Sequence, residues 1–171
     1  LDWSALRPMT ELEFEKACRG NQTPVADEFA WGTATATLCS GILYGGTANE
    51  VPSNASANTT AISNFDGPTR VGCFGNTVNS RVSSGASYYG IMDLSGNNWE
   101  RPVSVGDAKA RLFTAINGDG ILSSTGTHNV SNWPDEQATG CGYRGGRWRD
   151  SGRSPRAAWS PAGAGTTPYR G

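Results

Sequence analysis

The chain has 171 residues and a net charge of −1, and this balance excludes several classes of protein. Its length suits one domain with a sizeable hydrophobic core. With 23 glycines and few charged residues, its composition favours short strands and long polar loops over a helical bundle. A near-neutral charge without a lysine run argues against nucleic-acid binding. No apolar stretch approaches the roughly 20 residues of a transmembrane helix, so direct membrane insertion is not expected.

The cysteines and the single histidine argue against a structural zinc site. Cys18, Cys39, Cys73 and Cys141 form no Cys-x-x-Cys pair, and His128 is the only histidine. Each cysteine stands among small or apolar residues, which favours buried reduced thiols. A disulfide framework, with three pairings open to it, is the alternative.

One helix is predicted clearly, between Met9 and Gly20. Thr10 as N-cap and Glu13 three residues later form a capping box, and Gly20 supplies a C-terminal stop. Met9, Leu12 and the turn at Lys16 and Ala17 are predicted to lie on one face that packs against a sheet. The helix is interpreted as structural.

Short apolar groups predict strand pieces between long polar loops. The strand positions after the helix are Phe29, Trp31, Leu38, Ile42 and Leu43. The polar run 45–60 predicts a long loop, and residues 88–94 predict a strand that enters a turn at 95–98.

Four residues around that turn have a spacing that suits a hard cation. Asp93, Gly96, Asn98 and Glu100 fall at n, n+3, n+5 and n+7. Calcium takes carboxylate and backbone carbonyl oxygens from one sharply turned segment. Capping of a tight turn by the two acids is the alternative interpretation.

The last 32 residues, 140–171, differ from the rest of the chain in charge and composition. They hold six arginines, four aromatics and eight glycines, with Asp150 as the only acid. This stretch carries a charge of +5, whereas residues 1–139 carry −6. Arginine, tyrosine and tryptophan are enriched at binding hot spots, so the stretch is interpreted as a recognition surface. A poorly ordered basic tail is the alternative.

Three ordered segments carry a resemblance to a known family. They are LRPMTELEFEKACRG, YGIMDLSGNNWERPVSVG and GYRGGRWRD. They resemble successive motifs of the formylglycine-generating-enzyme-like subtype of the C-type lectin fold. The longer match resembles variable proteins that are diversified by retroelements. The resemblance implies an α+β fold with short strands, few helices and long loops. It also implies a single domain over 1–171, whose first strands precede Leu1 and whose last strand follows Gly171.

In that family a C-terminal segment is mutated at adenine-containing codons while the fold holds it still. The resemblance therefore implies a variable segment over about 140–171, and Arg147 stands where the family usually has serine. Tyr143, Gly145, Gly146, Trp148 and Trp159 would form its fixed frame. The positions implied to vary and to contact ligand are Arg147, Arg149, Asp150, Ser151, Gly152, Arg153, Ser160, Ala162, Gly163, Gly165, Thr166, Thr167 and Tyr169.

The resemblance implies a non-enzymatic binder of a protein or cell-surface ligand, displayed on a cell surface or a phage particle, with oligomeric or multivalent presentation. No cofactor is required, and the family's calcium position matches Asp93, Gly96, Asn98 and Glu100. A sugar-binding lectin and a formylglycine-generating-enzyme-like oxidase are the alternatives. The oxidase is disfavoured because Asp150 and Pro155 stand where copper-binding cysteines belong.

Overall fold

A computed structural model of the protein describes residues 1–60, 67–75, 80–134 and 138–148. These residues form a mixed fold with one α-helix, α1 (Glu11–Arg19), and one two-stranded antiparallel sheet, β1 (Ile42–Leu43) with β2 (Val51–Pro52). Two short 3-10 helices cover Asp2–Ser4 and Ala110–Leu112. In this part of the chain no helix is long and apolar enough to cross a membrane.

The described residues fall into two compact units. The first unit comprises residues 1–13, 101–134 and 138–143. The second unit comprises residues 14–60, 67–75, 80–100 and 144–148.

The predicted capping box of α1 is confirmed. The Glu13 amide donates to the Thr10 hydroxyl at 3.2 Å, and the Glu13 carboxylate accepts from the Thr10 amide at 2.8 Å. At the other end, the Gly20 amide donates to the Lys16 carbonyl at 2.8 Å, with φ of +69°. Local signals alone therefore set both ends of this helix.

The predicted buried face of α1 is wrong for Met9 and Leu12, whereas Ala17 packs against the core as predicted. Leu12 is 62% exposed and Met9 is also exposed, whereas Phe14 is 0% exposed. Phe14 and Cys18 lie one turn apart and pack with Ala30 and Leu94, in a core cluster of the second unit. The i, i+4 pair thus defines the buried stripe, and the apolar side chain of Leu12 remains in water.

The polar run 45–60, predicted as a long loop, contains regular backbone pairing. Its residues 51–52 form β2, which pairs with β1 through Ile42 opposite Pro52 and Leu43 opposite Val51. Further along, Thr59 pairs in parallel with Leu38, and the Cys39 amide donates to the Thr59 carbonyl at 3.0 Å. Residues 57–60 are buried. Backbone pairing, which a polar sequence does not exclude, holds this run in the second unit.

All four cysteines are buried reduced thiols, as their sequence surroundings predict. Cys39 and Cys73 pack with Ala57 and Phe74 in a second core cluster, against the partly buried Ile42 and Met92. Burial raises the pKa of the Cys18 thiol to about 12 and that of Cys73 to about 11. These thiols contribute to the core as small apolar side chains.

The strand predicted at 88–94 does not form. The Gly90 amide instead donates to the Ser87 carbonyl at 3.0 Å, and the Ser87 amide donates to the Ile91 carbonyl at 2.8 Å. Gly90 has a φ of +80°, which suits a tight turn and not an extended strand. The chain reverses here before it reaches the turn at residues 95–98.

In the first unit, a three-residue bridge joins segments that are distant in sequence. Val103 pairs in parallel with Thr10 and antiparallel with Cys141. Beside this bridge, the buried Glu11 carboxylate accepts from the Val105 amide at 2.7 Å and from the Ser104 hydroxyl at 3.2 Å. Main-chain pairing and one buried acceptor therefore hold these segments together.

Candidate functional site

In the second unit, the turn over residues 94–100 holds the segment 144–148 through backbone hydrogen bonds. Glu100 and Arg144 exchange amide–carbonyl bonds of 3.0 and 3.1 Å. The Gly96 amide donates to the Gly145 carbonyl at 2.7 Å, and the Trp148 amide donates to the Asn97 carbonyl at 3.1 Å. We call residues 94–100 with 144–148 the anchor site. It fixes the start of the segment that the sequence predicts to be variable.

Two glycines let the segment follow this path. Gly145 and Gly146 have φ of +78° and +75°, which an L side chain rarely adopts. A Cβ at Gly145 would also lie less than 3.0 Å from Oε2 of Glu100. Both residues are buried, and their place in a fixed frame stays a prediction.

Asn97 organises the turn, and the sequence analysis did not single it out. Its side chain is buried; Nδ2 donates to the Thr69 carbonyl at 3.1 Å, and Oδ1 accepts from the Thr69 amide at 2.9 Å. Its own amide donates to the Thr60 hydroxyl at 3.1 Å. Asn97 has a φ of +64°, which asparagine tolerates better than most residues. The sequence signal for this role was the asparagine that follows glycine in the turn motif Ser-Gly-Asn-Asn.

Glu100 places a carboxyl group in the interior of the anchor site. Its Oε2 is buried and has no hydrogen-bond partner among the described residues. Burial, together with the negative charge of Asp93, raises the pKa of Glu100 to about 9. The group is therefore protonated at neutral pH when no cation is bound.

The four predicted calcium ligands meet the requirements of the ion only in part. Oε2 of Glu100 has no partner in the described part of the chain, but Oδ2 of Asp93 accepts from the Gly72 amide at 2.8 Å and Asn98 is exposed. Burial also raises the pKa of Asp93. Among the described residues, no group of three or more His, Cys, Asp and Glu side chains could hold a metal ion. Calcium would need backbone carbonyls to complete its six to eight oxygens, and the site stays a prediction.

Glu100→Gln is expected to flatten the pH dependence of stability. Because the folded pKa lies above the ordinary 4.5, the contribution of Glu100 is full below pH 4.5 and is lost as pH rises towards about 9. The slope is at most about 1.4 kcal/mol per pH unit. Urea unfolding with a chelator present at pH 5, 6.5 and 8 measures it. The free energy of unfolding of the wild type should fall as pH rises, and that of the variant should fall less.

The same titration with calcium tests the cation site. If calcium binds an ionised Glu100, the ion should raise the wild-type free energy of unfolding at pH 8 and should not raise that of the variant. Equal pH slopes for both proteins in chelator would contradict the protonated Glu100.

Arg144 is buried in the second unit and contacts helix α1. Its Nη1 donates to Oε1 of Glu15 at 3.1 Å, and its guanidinium carbon lies 5.9 Å from the ring centroid of Phe14. A buried guanidinium with a carboxylate partner is costly to disturb, because removal of one charge leaves the other uncompensated. Arg144 is therefore interpreted as part of the framework of the anchor site.

Of the positions predicted to contact ligand, the structure describes only Arg147, which is half-buried next to the half-buried Trp148. The others, together with Trp159 of the predicted fixed frame, lie outside the described residues. Those positions are Arg149, Asp150, Ser151, Gly152, Arg153, Ser160, Ala162, Gly163, Gly165, Thr166, Thr167 and Tyr169. Tyr143, also predicted to be fixed, is buried in the first unit and stacks on Arg101, with the guanidinium carbon 4.1 Å from the ring centroid.

Comparison of the chain with protein-family models, with curated proteins and with solved structures found no match.

Proposed function

We propose that this protein is a non-enzymatic ligand-binding protein with a C-type lectin fold of the formylglycine-generating-enzyme-like subtype. Its C-terminal segment, about 140–171, is diversified by a retroelement so that binding specificity changes while the fold is kept. The three sequence motifs support the family. The backbone hydrogen bonds of the anchor site support the proposal that the segment can vary while the fold is kept.

The anchor site suits diversification because its bonds do not depend on side-chain identity. The four bonds that hold residues 144–148 join amides to carbonyls, so any residue but proline can make them. Gly145 and Gly146 are the exception, since their positive φ values demand glycine. Arg147 lies between Gly146 and Trp148 and can change without loss of a backbone bond.

The composition beyond the anchor site supplies the chemistry of recognition. Arginines bind carboxylates and carbonyls through paired hydrogen bonds, and tyrosine adds rigid contact area at low entropic cost. The ligand class is a protein or another cell-surface molecule. Display of many copies on a cell or a phage particle would turn weak single contacts into firm attachment.

The decisive experiment is to sequence the locus of this gene. The proposal expects a reverse transcriptase nearby and a near-copy of the DNA that encodes residues 140–171, with mismatches confined to adenines of the copy. A locus with neither element would contradict diversification. The mismatches would also show which predicted positions vary.

A second experiment tests tolerance in the protein itself. We expect Arg147→Ser and Arg147→Asn to lower the free energy of unfolding by less than Gly146→Ala does, because neither change removes a backbone bond of the anchor site or requires a new backbone conformation. Gly146→Ala is the matched control, because it adds a side chain at a φ of +75° and should cost about 1 to 2 kcal/mol. Similar decreases in the free energy of unfolding at positions 146 and 147 would contradict the proposed division into fixed and variable residues.

A further inference from the structure

The first unit contains a cavity of about 780 Å³ that the proposed function does not use. Small-molecule sites commonly have volumes of about 300 to 1,000 Å³ and mostly apolar walls. The apolar part of this wall includes Trp3, Pro8, Leu122 and Trp133. Trp3 is 75% exposed, so a large aromatic surface at this cavity is left in water. An occupant with an apolar or aromatic body would cover it.

The cavity also presents a positive charge without a counterion among the described residues. Arg101 lines it and stacks on Tyr143, with its guanidinium carbon 4.1 Å from the ring centroid. Nε of Arg101 is buried and has no hydrogen-bond partner in the described part of the chain. Stacking on one face leaves the edge of a guanidinium available for hydrogen bonds.

Two other polar side chains of the wall form hydrogen bonds with the backbone of the chain itself. Asp2 is buried and accepts from the amides of Asp119 and Asn129 at 2.9 and 3.1 Å, which compensates its charge within the wall. Nε2 of His128 donates to the Pro134 carbonyl at 2.9 Å, while its buried Nδ1 has no hydrogen-bond partner among the described residues. Arg101 is the positively charged side chain of this wall, and the described residues provide no counterion for it.

Trp133 gives the wall a fixed aromatic surface. Its indole nitrogen donates to the Ile116 carbonyl at 2.9 Å, and its ring centroid lies 5.3 Å from that of His128. A side chain held in this way loses little freedom when a ligand binds, which favours affinity.

We infer that this cavity binds a small organic carboxylate with an aromatic or branched apolar body. The carboxylate would pair with the edge of the Arg101 guanidinium, and the apolar body would pack on Trp133 and Leu122. A guanidinium and a carboxylate match each other in shape and charge, and binding would supply a counterion that the described residues do not provide. All the residues involved belong to the first unit, so the inference is independent of the proposed variable segment.

The test uses 3-phenylpropanoate as the probe and its uncharged amide as the matched ligand control. Binding to the full chain is measured by isothermal titration and by ligand-observed NMR. We expect a Kd on the order of 1 mM for a ligand of this size. The amide should bind at least 10-fold more weakly. Equal binding of acid and amide, or no binding of the acid, would overturn the inference.

Protein variants locate the site. Arg101→Gln should weaken binding of the acid at least 10-fold, whereas Arg111→Gln, which removes an exposed arginine of the same unit, should leave it unchanged. Leu122→Ala should weaken binding of acid and amide alike, and thermal unfolding confirms that each variant is folded. An unchanged Kd for both Arg101→Gln and Leu122→Ala would place the ligand elsewhere and overturn the inference.

A last variant distinguishes an external ligand from the chain's own acids. Asp135 and Glu136 follow Pro134 in sequence and lie outside the described residues. The double variant Asp135→Asn, Glu136→Gln should bind 3-phenylpropanoate as the wild type does. Binding only in the double variant would show that these acids already occupy Arg101, which overturns the inference.

Discussion

Asn97→Ala is expected to lower the free energy of unfolding by about 2 to 4 kcal/mol. The substitution removes both side-chain bonds to the backbone amide and carbonyl of the half-buried Thr69, and each such bond contributes about 0.5 to 1.5 kcal/mol. Alanine also tolerates a φ of +64° less well than asparagine does, which adds about 1 kcal/mol. Urea unfolding followed by tryptophan fluorescence, with a chelator present, measures the change.

Asn98→Ala is the matched control for this prediction. Asn98 is the next residue and is exposed, so its replacement should change stability by no more than about 0.5 kcal/mol. Asn97→Asp adds a third point, because it keeps the acceptor for the Thr69 amide and loses the donor to the Thr69 carbonyl. Its loss should lie between the other two. Equal losses for Asn97→Ala and Asn98→Ala would contradict the assigned role of Asn97.

Gly85→Ala is expected to lower the free energy of unfolding by about 2 to 5 kcal/mol. A Cβ at Gly85 would lie less than 3.0 Å from the Asn58 carbonyl oxygen, which is backbone and cannot move aside as a flexible side chain would. Gly85 also has a φ of +68°. The left-handed conformation costs about 1 to 2 kcal/mol for an L side chain, and overpacking adds about 1 to 3 kcal/mol. Chemical unfolding measures the total.

Gly90→Ala separates the two contributions. Gly90 has a similar φ of +80°, but a Cβ there would meet nothing within 4 Å. Its substitution should cost only the conformational part, about 1 to 2 kcal/mol. The difference between the two variants then measures the close approach of residue 85 to Asn58. If the free energy of unfolding falls equally in both variants, the close approach of residue 85 to Asn58 does not affect stability.

The Gly85 contact bears on the anchor site through residues 58–60. The Thr59 hydroxyl donates to the Ser95 carbonyl at 2.7 Å, and the Thr60 hydroxyl accepts from the Asn97 amide. A side chain at Gly85 would displace the segment that supports the turn. Amide hydrogen exchange should therefore show lower protection at Asn97 and Trp148 in Gly85→Ala than in Gly90→Ala.

The sequence predicted features that depend on nearby residues. The capping box of Thr10 and Glu13 and the stop at Gly20 need only local hydrogen bonds, and both formed as predicted. The buried cysteines followed from their small apolar neighbours. In each case the deciding interaction lies within a few residues of the signal.

Features that depend on distant residues were missed. Leu12 and Phe14 are both apolar, and only the positions of Ala30 and Leu94 decide that Phe14 is the buried one. The pairing of 51–52 with 42–43 is carried by backbone atoms, which a polar composition hides. The role of Asn97 depends on Thr69, which lies 28 residues earlier. The calcium spacing is visible in sequence, but the burial that neutralises Glu100 is not.

The four buried thiols can be used to measure transient opening of the native protein. Cys18, Cys39 and Cys73 lie in the second unit and Cys141 in the first, so the two units carry separate probes. A buried thiol with a pKa of about 12, as for Cys18, forms almost no thiolate at pH 8 while it stays folded. Alkylating reagents can then modify it only during excursions from the native state. The labelling rate of each cysteine therefore measures how often the unit that contains it opens.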